Sequence, residues 1–339
     1  MFFAYAGFGP QASIEMRALV IGPYPSKENP AKGIFVQHQV ESLSAAGITV
    51  DVLPILGGRG KKKYLSVARQ FHSMIRKQHY DVIHAHHVYA GIIARTQWKS
   101  PVVVTHHGAE VLNEGVLLRW LCQAITRVSS GCIAVSEECA RALKSPAATV
   151  IPCGTDMNRF RPMPRGQVRA QLGLPQDKRY LLYTGDFDGV PRPAKRFDLV
   201  QAAQRILQPA FPNLEILNVQ NQPNDQMPLY INAADVLVLA SESEGSPMVI
   251  KEAMACNVPI VSVDVGDVAK VIEGTENCYL CERTAEDIAE KCKRVLSVTG
   301  AVTNGRTRVQ EYGLERIAAR VIEVYKNCLA TREMKARTT

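Results

Sequence analysis

Short apolar runs recur along the chain, and each is followed by a polar or glycine-containing segment. Such a run is typical of a parallel strand buried on both faces, because helices cover both sides of the sheet. The strands are predicted at residues 18–22, 49–53, 81–84, 101–105, 132–136, 148–152, 180–185, 214–219, 236–240 and 260–263. Residues 34–46 and 64–78 carry apolar positions at helical spacing. The alternation predicts an α/β fold with doubly wound, Rossmann-like sheets.

A break in the alternation indicates two domains, as the length of 339 residues also suggests. The run RPMPRG at 161–166 has two prolines and is predicted to be a hinge. It separates a first domain, 16–160, from a second domain, 167–312. Residues 1–15 do not fit the pattern and are treated as an extension, with Met16 favoured as the initiator. The tail beyond Arg332 is predicted to be disordered.

The stretch 234–267 is the most informative part of the second domain. A buried strand, 236–240, is followed by four polar residues and then by Gly245. Ser246 is predicted to be the N-cap of a helix, with Pro247 at its first position. The N–H groups at the start of a helix have no partner within the helix and favour an anion. We therefore expect an anion site above the end of this strand.

Two glutamates, Glu244 and Glu252, flank that site with seven residues between them. This E-x7-E pattern, set between a strand and a capped helix in EGSPMVIKEAMA, resembles the retaining glycosyltransferases of group 4. The resemblance extends over residues 17–327. It implies the GT-B fold, in which two Rossmann-like domains face a cleft, and a last helix, 313–330, that crosses back to the first domain. The first domain is then the acceptor side and the second holds the donor.

The resemblance implies a reaction and the residues that serve it. A sugar moves from a nucleoside-diphosphate sugar to a hydroxyl of a glycan or lipid-linked acceptor, with retention and without a cofactor or metal. Glu252 would hold the ribose hydroxyls, Glu244 would lie near the sugar, and the N–H groups at 246–249 would bind the diphosphate. The predicted donor-binding residues are Gly33, Gly185, Val219, Gly245, Ser246, Pro247, Met248, Val249 and Glu252.

Cations and histidines complete the predicted site. The loop after the strand at 180–185 contains Arg192 and Lys195, which would stabilise the charge on the leaving diphosphate. In T-x-HG-x-E, His107 matches the family histidine that touches the transferred sugar. His86 ends a neighbouring strand and is predicted to lie on the acceptor side. His107, Glu244, Lys195 and Arg192 are the predicted catalytic residues.

Three patterns have competing interpretations as metal or redox sites. The histidine clusters lack a carboxylate or cysteine at ligand spacing, so a metal there is disfavoured. Asp186 and Asp188 spell D-x-D, but basic residues follow closely and favour phosphate binding without a metal. Cys278 and Cys281 stand without a second pair, so buried packing is favoured over zinc or redox chemistry.

The net charge of +8 lies in the first half of the chain. Residues 1–163 contain 18 Lys+Arg and 10 Asp+Glu, whereas residues 164–339 contain 22 of each. This asymmetry predicts an anionic partner: a phosphorylated acceptor, a membrane surface or nucleic acid. Nucleic acid is disfavoured because no recognisable binding module is present. The basic cluster Arg59, Lys61, Lys62 and Lys63 suits anionic lipid headgroups, although solvated surface is its plainer interpretation.

Cysteine usage and hydropathy predict the compartment. The nine cysteines show no disulfide framework, and no apolar run approaches the roughly 18 residues that span a bilayer. We expect a cytoplasmic enzyme of polysaccharide or glycolipid biosynthesis that can bind the inner membrane face.

Two rival functions share these patterns. A nucleotide-sugar 2-epimerase of the same fold would convert UDP-N-acetylglucosamine to an epimer with no acceptor present. A non-catalytic protein would bind nucleotide sugars or anionic surfaces, and Glu244→Ala would leave all of its activity intact.

Overall fold

The computed structural model describes residues 16–56, 62–113, 115–185, 192–220 and 222–338. Two parallel sheets form the molecule, as the alternation of apolar runs predicts. The first sheet has six strands in the order β2-β1-β3-β4-β5-β6 and the second has five in the order β11-β10-β9-β7-β8. In each sheet, successive strands are first added on one side of an inner strand, β1 or β7, and then on its other side. This is the arrangement of a doubly wound fold.

The first domain alternates strands and helices from Met16 onwards. Its strands are β1 (Arg17–Gly22), β2 (Thr49–Pro54), β3 (Val82–His86), β4 (Val102–His106), β5 (Gly131–Ala134) and β6 (Ala148–Val150). Its helices are α1 (Ile34–Ala45), α2 (Lys62–Lys77), α3 (Val88–Ala94), α4 (Ala109–Leu112), α5 (Val116–Val128) and α6 (Glu137–Leu143). The carboxyl ends of β1, β3 and β4 therefore present their loops at one edge of the sheet.

The second domain repeats the plan. Its strands are β7 (Arg179–Tyr183), β8 (Leu214–Asn218), β9 (Val236–Leu239), β10 (Ile260–Val263) and β11 (Cys278–Cys281). The helices are α7 (Arg165–Gln171), α8 (Phe197–Leu207), α9 (Met227–Ala233), α10 (Met248–Ala255), α11 (Val268–Ile272), α12 (Ala285–Leu296), α13 (Gly305–Val309) and α14 (Leu314–Thr338). Short 3₁₀ helices occur at Pro193–Lys195 and Gln310–Tyr312.

Helix α14 packs against the first sheet although it follows the second domain in sequence. Alternate residues of the strands face opposite sides, so Leu19 and Ile21 pack under α2, α3 and α5 while Ala18 faces the other side. That other side is covered by α14, whose Ile317, Val321, Tyr325 and Cys328 are buried there. One continuous core thus ties the end of the chain to its first strand.

The structure corrects the predicted ends of three segments. Helix α14 runs to Thr338, so the prediction of a disordered tail beyond Arg332 is wrong. Helix α7 begins at Arg165, inside the predicted hinge 161–166, and its Arg165 and Arg169 bind Asp235 of the second domain at 2.9 and 2.8 Å. Phe160, the last residue assigned to the first domain, is fully buried in the core of the second. For Phe160, membership of a core that depends on contacts distant in sequence decides the domain end.

Candidate functional site

The two domains meet where three glycines crowd together. A Cβ on Gly245, in the loop after β9, would lie 2.0 Å from the carbonyl oxygen of His107, in the loop after β4. One on Gly108 would lie 2.6 Å from the Cα of Gly245, and one on Gly266 would lie 2.6 Å from the Gly245 oxygen. Only residues without side chains permit this approach. The histidine segment and the predicted donor loop are therefore direct neighbours.

Helix α10 begins at Met248, and the predicted cap is wrong. Pro247 is the N-cap and no side chain caps the helix. The Ser246 hydroxyl has tertiary partners instead: it accepts from the N–H of Cys153 (3.1 Å) and donates to Asp267 Oδ2 (2.7 Å). The N–H groups of the first turn, including those of Met248 and Val249, have no partner within the helix and keep their capacity for an anion.

A buried lysine fixes this loop. Lys251 is fully buried, and its Nζ donates to Ser246 Oγ at 2.8 Å and to Asp267 Oδ2 at 2.7 Å. The Ser246 hydroxyl thereby uses one donor and two acceptors, which is its full capacity. The network joins α10, the loop before α11 and the Cys153 segment of the first domain. Sequence reasoning missed Lys251 and Asp267, because a lysine beside a glutamate in a helix is usually exposed.

Glu252 is buried rather than free in water. Its exposed fraction is 4%, and burial raises the pKa of its carboxyl to about 7, against the opposing effect of Arg159 and Lys251. Arg159 comes from the interdomain segment and donates to Asn224 of the second domain at 2.7 Å. The carboxylate lies one turn into α10, on the side of the helix that faces protein. This position excludes a merely solvated helix face.

Glu244 forms an ion pair with Lys195, the last residue of the 3₁₀ helix Pro193–Lys195. Gly185 lies beside this lysine, since a Cβ on it would be 2.8 Å from the Lys195 Cβ. Arg192 caps the same 3₁₀ helix, and its carbonyl accepts from the Lys195 N–H at 2.7 Å. The structure thus brings Glu244 and Lys195 together, whereas their roles stay predictions.

The remaining predicted donor residues lie in the first and second domains. Gly33 adopts φ +75° as the N-cap of α1, and a Cβ there would come 2.4 Å from the Pro23 oxygen. Val219 is buried after β8, and its N–H donates to the Tyr183 carbonyl at 2.9 Å. Both backbones are held close to strand ends, which is where ligands of doubly wound sheets bind.

The histidines of β3 and β4 form one buried group. His86 Nδ1 lies 2.9 Å from His107 Nε2, and His84 stacks on His86 with ring centroids 4.5 Å apart. Burial lowers the pKa values of His86 and His107 well below the usual value, so both rings are neutral at pH 7. A neutral imidazole can donate to or accept from a sugar hydroxyl, depending on its tautomer.

His87 and Glu110 belong to the same group and were missed from sequence. His87 Nδ1 lies 3.1 Å from Glu110 Oε2, and the other carboxylate oxygen accepts from the His107 N–H at 3.1 Å. Burial alone would raise the pKa of Glu110, but the neighbouring histidines, His87 foremost, hold it well below the usual value. Glu110 is the last residue of the T-x-HG-x-E motif, so the motif could have identified it from the sequence. Its carboxylate positions both the His87 segment and the His107 segment.

No cluster of three or more metal-binding side chains occurs among the described residues. The predicted D-x-D residues, Asp186 and Asp188, lie outside the described residues, as do Arg59 and Lys61. The structure describes the backbone of Lys62 and the whole of Lys63 in the first turn of α2. No helix in the described part of the chain is long and apolar enough to cross a membrane.

Solved structures share this architecture. Sucrose-phosphate synthase from Thermosynechococcus elongatus superposes with a TM-score of 0.73 and 20% identity, over 94% of this chain and all of the other. HepE of Anabaena, solved in complex with UDP, gives a TM-score of 0.66 at 16% identity over 92% and 100% of the two chains. The predicted GT-B fold is therefore confirmed.

Curated proteins with similar sequences are glycosyltransferases. A protein named for teichuronic acid biosynthesis, the glycosyltransferase TuaC of Bacillus subtilis (strain 168), is 27% identical over 80% of this chain and 86% of its own. A D-inositol 3-phosphate glycosyltransferase of Geodermatophilus obscurus is also 27% identical, over 76% and 68% of the two chains.

Sequence models of two families match the two domains separately. Residues 20–159 match Glycosyltransferase Family 4, and residues 212–316 match Glycosyl transferases group 1. Between them the matches contain the histidine segment and the Glu244–Glu252 segment that meet in the cleft. The chain accordingly belongs to the glycosyltransferases of the group 1 and family 4 type.

Proposed function

We propose that this glycosyltransferase moves a sugar from a nucleoside-diphosphate sugar to a hydroxyl of its acceptor with retention of configuration and without a metal. The observation that carries the proposal is the contact of Gly245 with the His107 segment. It joins the loop of Glu244, which leads into helix α10, to the segment that carries the neutral His107. A diphosphate sugar bound at α10 then has its anomeric carbon in the cleft.

Donor binding follows from the charges of the second domain. The ionised Glu252 accepts hydrogen bonds from the ribose diol, and the first-turn N–H groups of α10 bind the diphosphate. Lys195 is held by Glu244 in this structure, so an arriving diphosphate adds a second anion to a cation already in place. Arg192 precedes Lys195 by three residues and supplies a further positive charge.

The chemical step needs no protein nucleophile. The acceptor oxygen bonds to the anomeric carbon on the face from which the carbon–oxygen bond to the diphosphate breaks. The acceptor proton passes to the departing diphosphate oxygen, and the cations stabilise the charge that the diphosphate gains. Lys195, Arg192 and the helix dipole supply the positive charge that stabilises the leaving diphosphate, which a divalent metal would otherwise supply.

A peripheral membrane location is part of the proposal. Val116 and Leu117 of α5 are 82% and 73% exposed, and Trp120 is 58% exposed on the same helix. Leu65 of α2 is 57% exposed, and α3 packs against both α2 and α5. These apolar residues lie on the domain that carries the net positive charge. An anionic bilayer would bury the apolar side chains and attract the positive charge. The acceptor is accordingly a lipid-linked or membrane-proximal glycan.

The donor test compares UDP-, GDP- and ADP-sugars for thermal stabilisation and slow hydrolysis. UDP-sugars are tried first, because a protein of the same fold, HepE, was solved with UDP. A ligand at a hundred times its dissociation constant adds about 2.7 kcal/mol of stability. Analysis of the anomeric product by NMR distinguishes retention from inversion, and an epimer of UDP-N-acetylglucosamine would support the epimerase instead.

Glu244→Gln is the variant that tests catalysis, with Glu333→Gln on the exposed end of α14 as its control. We expect Glu244→Gln to lower kcat by at least about tenfold, because it loses a charge-assisted contact of roughly 1.5–3 kcal/mol. Unchanged transfer in Glu244→Gln, or no stabilisation by any nucleotide sugar, would contradict the proposed function.

A further inference from the structure

An arginine in the segment between the domains contacts both of them. Arg159 follows β6 and precedes α7, and its Nη1 donates to Oδ1 of Asn224 at 2.7 Å. Asn224 belongs to the loop between β8 and α9, in the donor domain. The same Nη1 lies 3.4 Å from Nε2 of His38, on α1 of the first domain. One guanidinium therefore joins a helix of the first domain to a loop of the second.

The contact with His38 depends on a neutral ring. Nε2 of His38 lies 3.2 Å from the Asn224 oxygen, which can only accept, so Nε2 carries the proton and donates. The residue is 2% exposed, and burial, followed by the charge of Arg159, lowers the pKa of its ring. The opposing charges of Glu41 and Asp156 have smaller effects. The ring is therefore neutral at pH 7 and above, as the contact requires.

Backbone contacts hold Arg159 beside helix α10. Asp156 Oδ1 accepts from the Arg159 N–H at 3.0 Å, and its Oδ2 lies 3.6 Å from the Arg159 Nε. The next residue, Phe160, is fully buried in the core that also contains α10. Nη1 of Arg306 donates to the carbonyls of Phe160 (2.7 Å) and Ala255 (2.8 Å), so one side chain joins the segment to the end of that helix. These contacts fix the position of Arg159 relative to α10.

The charge of Arg159 acts on Glu252, the buried carboxylate of α10. Burial raises the pKa of that carboxyl to about 7, and Arg159 opposes the rise more strongly than Lys251 of the same helix does. Lys251 is bound to Asp267 at 2.7 Å. The thiol of Cys256, one turn further along α10, has a pKa raised to about 12 and is neutral. Arg159 therefore supplies the larger opposing charge, from a segment outside the helix.

We propose that Arg159 is a positioning residue for donor binding. Its charge favours the ionised form of Glu252, which accepts hydrogen bonds from the ribose hydroxyls. Asn224 and His38 hold its guanidinium in place for this role. The inference rests on the proposed function, since it concerns the carboxylate that binds the ribose there. It links donor affinity to the contact between the domains, because one of the two side chains that hold the guanidinium belongs to the first domain.

Nucleotide affinity at two pH values tests this role. UDP, GDP and ADP are titrated into the wild-type chain by calorimetry, and the one that binds most tightly is the probe. Loss of the cation raises the pKa of Glu252 further, so the ionised carboxylate is scarcer at pH 7 but still predominates at pH 9. We expect Arg159→Gln to bind the probe about fivefold or more weakly than wild type at pH 7, and within about twofold of wild type at pH 9.

Three further variants provide the controls. Arg159→Lys retains the charge and should recover most of the affinity at pH 7. Arg161→Gln, which changes an exposed arginine two residues along the same segment, should match wild type at both pH values. Added to Glu252→Gln, the Arg159→Gln change should weaken binding by less than about twofold at pH 7, because the group through which it acts is already lost.

Two substitutions of His38 test the link between the domains. His38→Leu removes the donor to the Asn224 oxygen, whereas the amide of His38→Gln can donate in its place. We expect weaker binding of the probe at pH 7 in His38→Leu and affinity close to wild type in His38→Gln. Equal affinity of His38→Leu and wild type would contradict the link.

An equal loss of affinity at pH 7 and pH 9, or an undiminished loss in the Glu252→Gln background, would overturn the proposal, because Arg159 would not then act through Glu252. Unchanged affinity of Arg159→Gln at pH 7 would also overturn it and leave the proposed function intact. Failure of all three nucleotides to bind wild type would overturn the proposed function and this inference together. Melting curves show whether Arg159→Gln folds. If it does not, Asn224→Leu, which releases the guanidinium, replaces it with the same expected result.

Discussion

Burial of the Glu252 carboxylate has a cost in stability. Burial raises its pKa to about 7 from an ordinary value of 4.5, so the empty protein disfavours the charged form. In the proposed function, a ribose diol donates two hydrogen bonds to this carboxylate and favours the charged form. Burial of the charged carboxylate weakens the folded state of the empty protein, and the proposed donor would offset that cost.

Glu252→Gln should stabilise the empty protein at pH 8 but much less at pH 5. The folded pKa lies above the unfolded value, so stability is lost as the pH rises from 4.5 to about 7. We expect a gain that is about 2 kcal/mol larger at pH 8 than at pH 5, measured by urea unfolding. The same variant should raise the donor KM about tenfold or more. Glu333→Gln should change neither quantity, and a Glu252→Gln protein of unchanged stability at pH 8 would refute the argument.

Helix α10 owes its position to partners outside the helix. Its first turn lacks a side-chain cap, and the loop before it is tied down by Lys251, Ser246 and Asp267. These groups are buried, so each depends on the others for the hydrogen bonds that replace water. An internal ion pair between Lys251 and Asp267 therefore preorganises the proposed anion site at the helix N-terminus.

Lys251→Met should cost about 3–5 kcal/mol, because it leaves the Asp267 charge buried without its cation. Urea unfolding measures the loss, and the donor KM should rise as the Gly245 loop loosens. Lys270→Met, on the exposed face of α11, is the matched control. The double variant Lys251→Met/Asp267→Leu should lose less than Lys251→Met alone, and a larger loss would show that the ion pair is not the cause.

At the scale of the whole molecule, the first half of the chain carries the net positive charge, and α5 exposes Val116, Leu117 and Trp120. The proposed membrane surface is on this domain. The donor domain, with equal numbers of basic and acidic residues from 164 to 339, would remain in solvent.

Leu117→Asp should reduce binding to phosphatidylglycerol vesicles severalfold, because it removes an inserted apolar group and adds repulsion. Sedimentation with vesicles measures the bound fraction, and raising salt should weaken the wild-type interaction. Val298→Asp, an exposed apolar residue of the second domain, is the control. Equal sedimentation of Leu117→Asp and wild type would exclude α5 from the interface.

Sequence by itself determined the alternating elements, the two sheets and the glutamate pair around Gly245, because these depend on local periodicity and on a motif. Tertiary structure alone decided the raised pKa of Glu252, the partners of Ser246 and the pairing of His87 with Glu110. Ser246 illustrates the reason: the N–H it accepts from belongs to Cys153, 93 residues away. Caps, buried charges and pKa values depend on which groups the fold brings together, and a local pattern does not contain that information.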